Sequence, residues 1–414
     1  MRRHAPRGFR CTGWIAASLL AAAGAVAALS ALLLSGASPI RPVHRGAPAR
    51  TTPLRATAPA TVPRTGSRLV ANVVSYGADP TGSRDSTPAI ARAITAAESR
   101  PGSEVYFPAG RYVLDDPSRR QVDFTIDRPI HVVGAGPTRT LVVNELGARN
   151  PAATVSTTIF EIVTNPVTQS GEGDGTTISG MTLDAATYDA GTSIMDFANR
   201  TTLSDLVVKA PRSTNTYNPN AFGIRVIAVC NPTNRYRVFR SGNVVSNVVI
   251  TGQGAGGQTE LDLSCQRGST VDGATIYGNG VDVFYCSHDI LENLALTGSP
   301  TPAWSAPSYT WVITGSYHIT LSNIRTSGSG GVIAPDVVDV TRDVTIANET
   351  MAGTGSYLDI GDSRSTVITS SHLEGIRLAP VRSIVGVDVA GSSFTNVFCK
   401  SGKVIEDLVG LRCP

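Results

Sequence analysis

Two short segments carry acidic residues at a spacing that could do chemistry, Thr259-Glu-Leu-Asp-Leu-Ser264 and Gly280-Val-Asp-Val-Phe-Tyr285. If both are strands, alternation turns Leu261, Leu263, Val281 and Val283 toward an interior and leaves Asp262 and Asp282 outside, with Glu260 on the same face. Close carboxylates have their pKa values pushed apart, which suits one to give and the other to take a proton in hydrolysis. The same oxygens could hold Ca²⁺, neutralising a uronate for β-elimination with Arg225 or a neighbour as base. Arg225, in Gly223-Ile-Arg-Val226, falls one repeat earlier; Trp311 falls one repeat later, and Asp359 shares the phase further on. Asp262 and Asp282 are thus the candidate catalytic residues, with Glu260, Arg225 and Trp311 as candidate substrate contacts. The competing reading is a solvated acidic face.

Two further groups are weaker candidates. Asp184, Asp189 and Asp196, around Tyr188, could form a second wall of the same groove. The segment Asn231 to Asn243 carries Arg235, Arg237 and Arg240 with Tyr236 and Phe239; Arg235 and Arg237 would suit an anionic sugar, or simply stand in solvent. Nothing points to a serine hydrolase, because no Gly-x-Ser-x-Gly elbow occurs, or to zinc, because no Cys-x-x-Cys occurs and the six histidines are scattered.

What must position these residues is a repeat. Six-residue blocks recur as Ile178-Ser-Gly-Met-Thr-Leu183, Leu203-Ser-Asp-Leu-Val-Val208, Val245-Ser-Asn-Val-Val-Ile250, Val271-Asp-Gly-Ala-Thr-Ile276 and Leu291-Glu-Asn-Leu-Ala-Leu296, with looser copies from Leu321, Ile346, Ile368 and Val389. Their starts are 25, 42, 26, 20, 30, 25, 22 and 21 residues apart, the period of solenoid coils. The third position is Gly180, Asp205, Asn247, Gly273, Asn293, Asn323, Asn348, Ser370 and Gly391, mostly types that tolerate positive φ or bond to nearby backbone. A bend there lets positions one, four and six all point inward. The pattern predicts an all-β, right-handed parallel β-helix spanning 68–414, with the 42-residue gap marking one coil that carries a long loop.

Composition divides the remainder. The first 67 residues hold nine of the 35 basic residues and no acid, so the body has 26 basic against 32 acidic residues and offers nothing to a nucleic acid. Met1 to Arg10 is a positively charged n-region and Trp14 to Leu34 an apolar run, so residues 1–37 read as a signal peptide or a membrane anchor. Residues 38–67, rich in Pro, Arg, Thr and Ala, read as a disordered tether. Either reading of the leader places the body outside the cytoplasm. There Cys230, Cys265, Cys286, Cys399 and Cys413 are odd in number, so at least one thiol is left free or pairs between molecules, and Cys399 and Cys413 could staple the C-terminus.

The body opens on a different note. Asp85 or Ser86 caps a helix, Pro88 suits its first turn, and the Ala/Ile run stops at Pro101-Gly102, so this helix would cover the open end of the solenoid. The run Val74-Ser-Tyr-Gly-Ala-Asp-Pro-Thr-Gly-Ser-Arg-Asp-Ser-Thr-Pro-Ala-Ile90, followed by Val105-Tyr-Phe-Pro-Ala-Gly-Arg-Tyr112, resembles the opening of the pectate-lyase-like β-helix superfamily. That superfamily includes family 28 glycoside hydrolases (polygalacturonases), related lyases and epimerases, and phage tailspikes. Asn279-Gly-Val-Asp-Val283 with His288-Asp-Ile-Leu-Glu-Asn293 looks like the strand on which polygalacturonases carry Asn-Thr-Asp-Gly. In that alignment the catalytic Asp falls on Asn279, no Asp-Asp pair follows between Ser305 and Trp311, and no Gly-His-Gly or Arg-Ile-Lys motif occurs.

The resemblance implies a glycan as ligand and leaves the reaction open, since the same cap precedes hydrolases, lyases and non-catalytic fibres. Together these readings predict an extracytoplasmic enzyme that cleaves a polysaccharide, as hydrolase or lyase, with no cofactor beyond Ca²⁺ in the lyase case. The rival is a non-catalytic glycan-binding or cell-surface β-helix.

Overall fold

A chain that puts a β-branched or leucine side chain inward at every bend and every strand can bury it only against the next coil. The computed structural model shows this stacking; it describes residues 68–116, 122–145, 157–163, 172–185, 191–211, 221–228, 230–231, 236–252, 259–298, 309–334, 339–353, 356–400 and 402–413. The expected leader and tether lie outside the described residues. The coils form a right-handed parallel β-helix, and successive coils pair strand on strand in parallel.

One sheet matters most for the site. It contains Gly191–Asp196, Ala221–Ile227, Thr259–Ser264, Val281–Phe284, Trp311–Thr314, Gly331–Ala334 and Tyr357–Ile360, each hydrogen-bonded to the next. Leu261, Val281, Trp311 and Leu358 fill the interior behind this sheet, each no more than 1% exposed.

All nine third-position residues of the blocks adopt positive φ, from 50° at Asn247 to 79° at Gly391. Four of them are asparagines whose amides bond along the stack. Asn323 Nδ2 donates to Asn293 Oδ1 (3.0 Å) and Asn348 Nδ2 to Asn323 Oδ1 (3.2 Å), while Asn293 Nδ2 donates to Asp272 Oδ1 (2.7 Å). A second corner stack, not anticipated from the sequence, runs through Arg200, Gly242, Gly268, His288, His318, Asp343, Ser365, Gly386 and Asp407, also at positive φ.

The helix α1 (Thr87–Glu98) buries Ala89, Ile90, Ala93, Ile94 and Ala97 on the first strands, as its apolar face requires. Asp85 Oδ1 accepts from the Thr87 N–H (2.9 Å) and hydroxyl (2.6 Å), while Ser86 Oγ instead accepts from the Asp79 N–H (3.0 Å). Asp79 in turn binds the N–H and hydroxyl of both Thr81 and Ser83, which holds its carboxyl well below the usual range. The Ala-Asp-Pro-Thr-Gly-Ser run is thus a self-bonded turn that seats the cap, and that is why it speaks for fold and not for reaction.

At the other end Cys399 and Cys413 form a disulfide, Cys265 is also disulfide-bonded, and Cys286 is free and buried. Among the described residues no helix is long and apolar enough to cross a membrane.

Candidate functional site

Strand register decides which side chains share the outer face. Arg225 pairs with Asp262, Asp262 with Asp282, Asp282 with Val312, Val312 with Val332, and Val332 with Asp359. Arg225, Asp262 and Asp282 therefore stand side by side on three consecutive strands, about 4.8 Å apart.

The two aspartates live differently. Asp262 is 3% exposed and both its oxygens are engaged, Oδ2 by Arg225 Nε (2.8 Å) and Oδ1 by the Ser264 hydroxyl (2.7 Å). The Arg225 guanidinium also lies over the Phe222 ring, 4.1 Å from its centroid. Asp282 is half-buried and accepts from the Thr259 hydroxyl (2.6 Å). Burial pushes its carboxyl up to about 7; the Thr259 bond and the Arg225 charge oppose this, and the neighbouring Asp262 charge adds to it. Of the pair, Asp282 is the group that reaches solvent with a proton to exchange near neutral pH.

Two expected substrate contacts are elsewhere. Trp311 pairs with Val281, not with Asp282, so it points inward and is 1% exposed. Its ring fills the space above Gly331, where a Cβ would come within 1.9 Å of Trp311 Cε2, and its indole N–H donates to Glu349 Oε1 (2.9 Å). Glu349 occupies the inward fourth position of the block that starts at Ile346, and burial pushes its carboxyl up to about 7.

Glu260, though two residues from Asp262, is 1% exposed. Its carboxylate folds into space left open by Gly252 and Gly278, whose Cβ atoms would each fall 2.0 Å from Oε1, and Oε2 accepts from the Gly280 N–H (2.7 Å). Burial pushes it up to about 8 despite those backbone bonds. Glu260 thus clamps the loop ahead of Asp282 from behind and does not face a substrate.

The expected second wall does not assemble. Asp196 sits at the inward phase opposite Val226, fully buried, and accepts from the Ala198 N–H (2.9 Å) and the Thr201 hydroxyl; burial pushes it up to about 7. Asp184 is paired with Lys209 Nζ (2.8 Å) on the adjoining strand of another sheet. Tyr188 and Asp189 lie outside the described residues, as does Arg235, and of Arg237 only the backbone is described, in a short antiparallel pair with Cys230. Arg240 is buried, at 4% exposure. Among the described residues no group of three or more His, Cys, Asp or Glu side chains converges as a metal site.

The outer face also carries a cluster around Asp359, which alternation turns outward without revealing its partners. Asp359 Oδ2 accepts from the Tyr309 hydroxyl (2.8 Å) and from Arg377 Nη1 (3.2 Å), and Arg377 lies over the Tyr357 ring at 4.8 Å.

The sequence model of the family described as rhamnogalacturonase A/epimerase, pectate lyase-like, matches residues 70–356. No curated protein matches the chain. Among solved structures, the A-module of the mannuronan C-5 epimerase AlgE6 of Azotobacter vinelandii is similar at 14% identity and a TM-score of 0.41, covering 83% of this chain and 100% of that one. PfbA, a surface adhesin of Streptococcus pneumoniae, is similar at 12% identity and 0.41, covering 82% and 92%. The catalytic unit of an α-1,3-glucanase from Streptomyces thermodiastaticus is similar at 16% identity and 0.40, covering 86% and 71%.

Proposed function

This chain belongs to the rhamnogalacturonase A/epimerase, pectate lyase-like family, and from that premise we propose that it is an exported enzyme that cleaves a polysaccharide laid along the Asp262/Asp282 face. The observation that carries the proposal is the contrast between neighbours, a half-buried Asp282 with its carboxyl near 7 beside a buried Asp262–Arg225 ion pair. Asp282 gives its proton to the glycosidic oxygen as the bond to the anomeric carbon breaks; water then adds to that carbon and gives up a proton that restores Asp282. Asp262 does not touch the substrate in this account. Its charge raises the proton affinity of Asp282, and it holds Arg225 over Phe222.

Export rests on the arginine-flanked apolar run of residues 14–34 and agrees with two disulfide-bonded sites in the body, since disulfides persist in oxidising compartments. Protease added to intact cells should digest the body, and full protection would contradict export. A mature N-terminus at Ser38 would identify cleavage; an intact Met1 in the membrane fraction would identify an anchor.

The reaction is tested on neutral and uronate-containing polysaccharides, reading new reducing ends together with the ultraviolet absorbance of unsaturated products. Reducing ends alone mean hydrolysis. Both signals together mean elimination, with Asp282 acting as base, and loss of activity on chelation would then assign Ca²⁺ a part. Binding without cleavage would replace the enzyme reading by a non-catalytic one.

A further inference from the structure

Arg225 and Arg377 are built alike. Each guanidinium lies over an aromatic ring from its own face, Phe222 and Tyr357, and each is tied to a buried aspartate on an adjoining strand, Asp262 and Asp359. Stacking and ion pairing fix a side chain that would otherwise lose much rotamer freedom on binding a ligand. Arg377 keeps 40% of its side-chain surface exposed, and a guanidinium carries five N–H donors, more than the one bond to Asp359 uses.

The second cluster has its own supports. Gly375 leaves room for the Tyr357 ring, since a Cβ there would lie 2.5 Å from Cδ1 and Cε1, and Phe398 meets the ring edge-on at 5.5 Å. Tyr309 bonds the same Asp359 oxygen as Arg377 does, and Asp359 is 9% exposed.

Register sets the distance between the clusters. From Asp282 the outer face steps through Val312 and Val332 to Asp359 and then Arg377. Four strand spacings make about 19 Å, roughly the length of a tetrasaccharide, and the floor between is apolar.

We propose that Arg377, with Tyr357, Asp359 and Tyr309, is a distal sugar-binding subsite of the Asp282 groove, taking a neutral, hydroxyl-bearing sugar unit of the same chain. Each arginine is already neutralised by its own aspartate, so hydroxyls gain donors there while a uronate gains no free positive charge. The inference rests on the groove reading but not on turnover.

The test measures binding by calorimetry in the Asp282→Asn protein, so that cleavage does not intrude. The probes are neutral gluco-, galacto- and manno-oligosaccharides of two to eight units and a galacturonate series of the same lengths. At least one neutral series should gain about tenfold or more in affinity between three and six units. Arg377→Lys, which keeps the charge but loses the planar fork, and Tyr357→Ala should each abolish that gain, with Tyr309→Phe weakening it. Circular dichroism on each variant separates this from unfolding, and if Tyr357→Ala unfolds, the Arg377→Lys result decides. No gain with length in any neutral series, a gain confined to galacturonates, or a gain that survives Arg377→Lys overturns the subsite. If Asp282→Asn keeps full cleavage activity while the length effect holds, the catalytic reading falls and the subsite stands.

Discussion

Replacing Asn293 probes the bend on which the whole coil geometry depends. Asn293 sits at φ 56°, donates to Asp272 Oδ1 and accepts from Asn323 Nδ2. Valine at this position would lose both side-chain bonds, exposed ones contributing about 0.5 kcal/mol each. It would also hold a β-branched side chain in the left-handed region, at a cost on the order of 1–2 kcal/mol. Asn293→Val should therefore destabilise the protein by about 2–3 kcal/mol. Asn293→Gly loses the same bonds but none of the backbone freedom at positive φ, so it should cost only about 1 kcal/mol. Urea unfolding followed by far-ultraviolet circular dichroism measures both. A valine variant with an unchanged midpoint, or a glycine variant as unstable as the valine one, would refute the claim that backbone conformation at the third position makes the corner.

Other consequences follow from buried groups and cross-links. Glu349 has its carboxyl raised from 4.5 to about 7, so the folded state binds more protons than the unfolded chain between those values. Its contribution is intact below about 4.5 and is lost as pH rises through about 7, on the order of 3 kcal/mol in all; Glu349→Gln keeps an acceptor for Trp311 and should flatten the fall of melting temperature with pH over this window. Asp262→Asn removes a negative neighbour and frees Arg225, both of which lower the Asp282 carboxyl. The alkaline limb of the cleavage rate, set by loss of the Asp282 proton near 7, should move to lower pH in that variant, and an unmoved limb would separate Asp282 from the proton step. Reducing the Cys399–Cys413 bridge, which spans 14 residues, should cost about 3 kcal/mol, read as a lower denaturation midpoint in Cys413→Ser.

The fold was legible because bend residues and inward positions repeat with a fixed phase, so nine corners could be placed from types and spacing alone. The second corner stack was not, because it mixes His, Asp, Ser, Arg and Gly, and only the backbone reveals what they share. Within the site, alternation correctly turned Asp262 and Asp282 to one face in register. It failed at Glu260, where two glycines leave space for an acidic side chain to fold back into the corner.

At Trp311 the phase was one residue off, and a cue was present: Glu349 falls on an inward position of its block, and a carboxyl buried there needs a donor such as an indole N–H. Burial itself was out of reach. Nothing in the residue types says that Asp262 would be closed off while its neighbour stays half open.

The central claim is that Asp282 moves the proton in glycan cleavage. Its most direct test compares wild type with Asp282→Asn on whichever polysaccharide the wild type cleaves, reading new reducing ends against time and confirming an unchanged melting temperature. The account predicts a loss on the order of 10² or more in rate with the fold intact. An Asp282→Asn protein that remains folded and cleaves at the wild-type rate would contradict it.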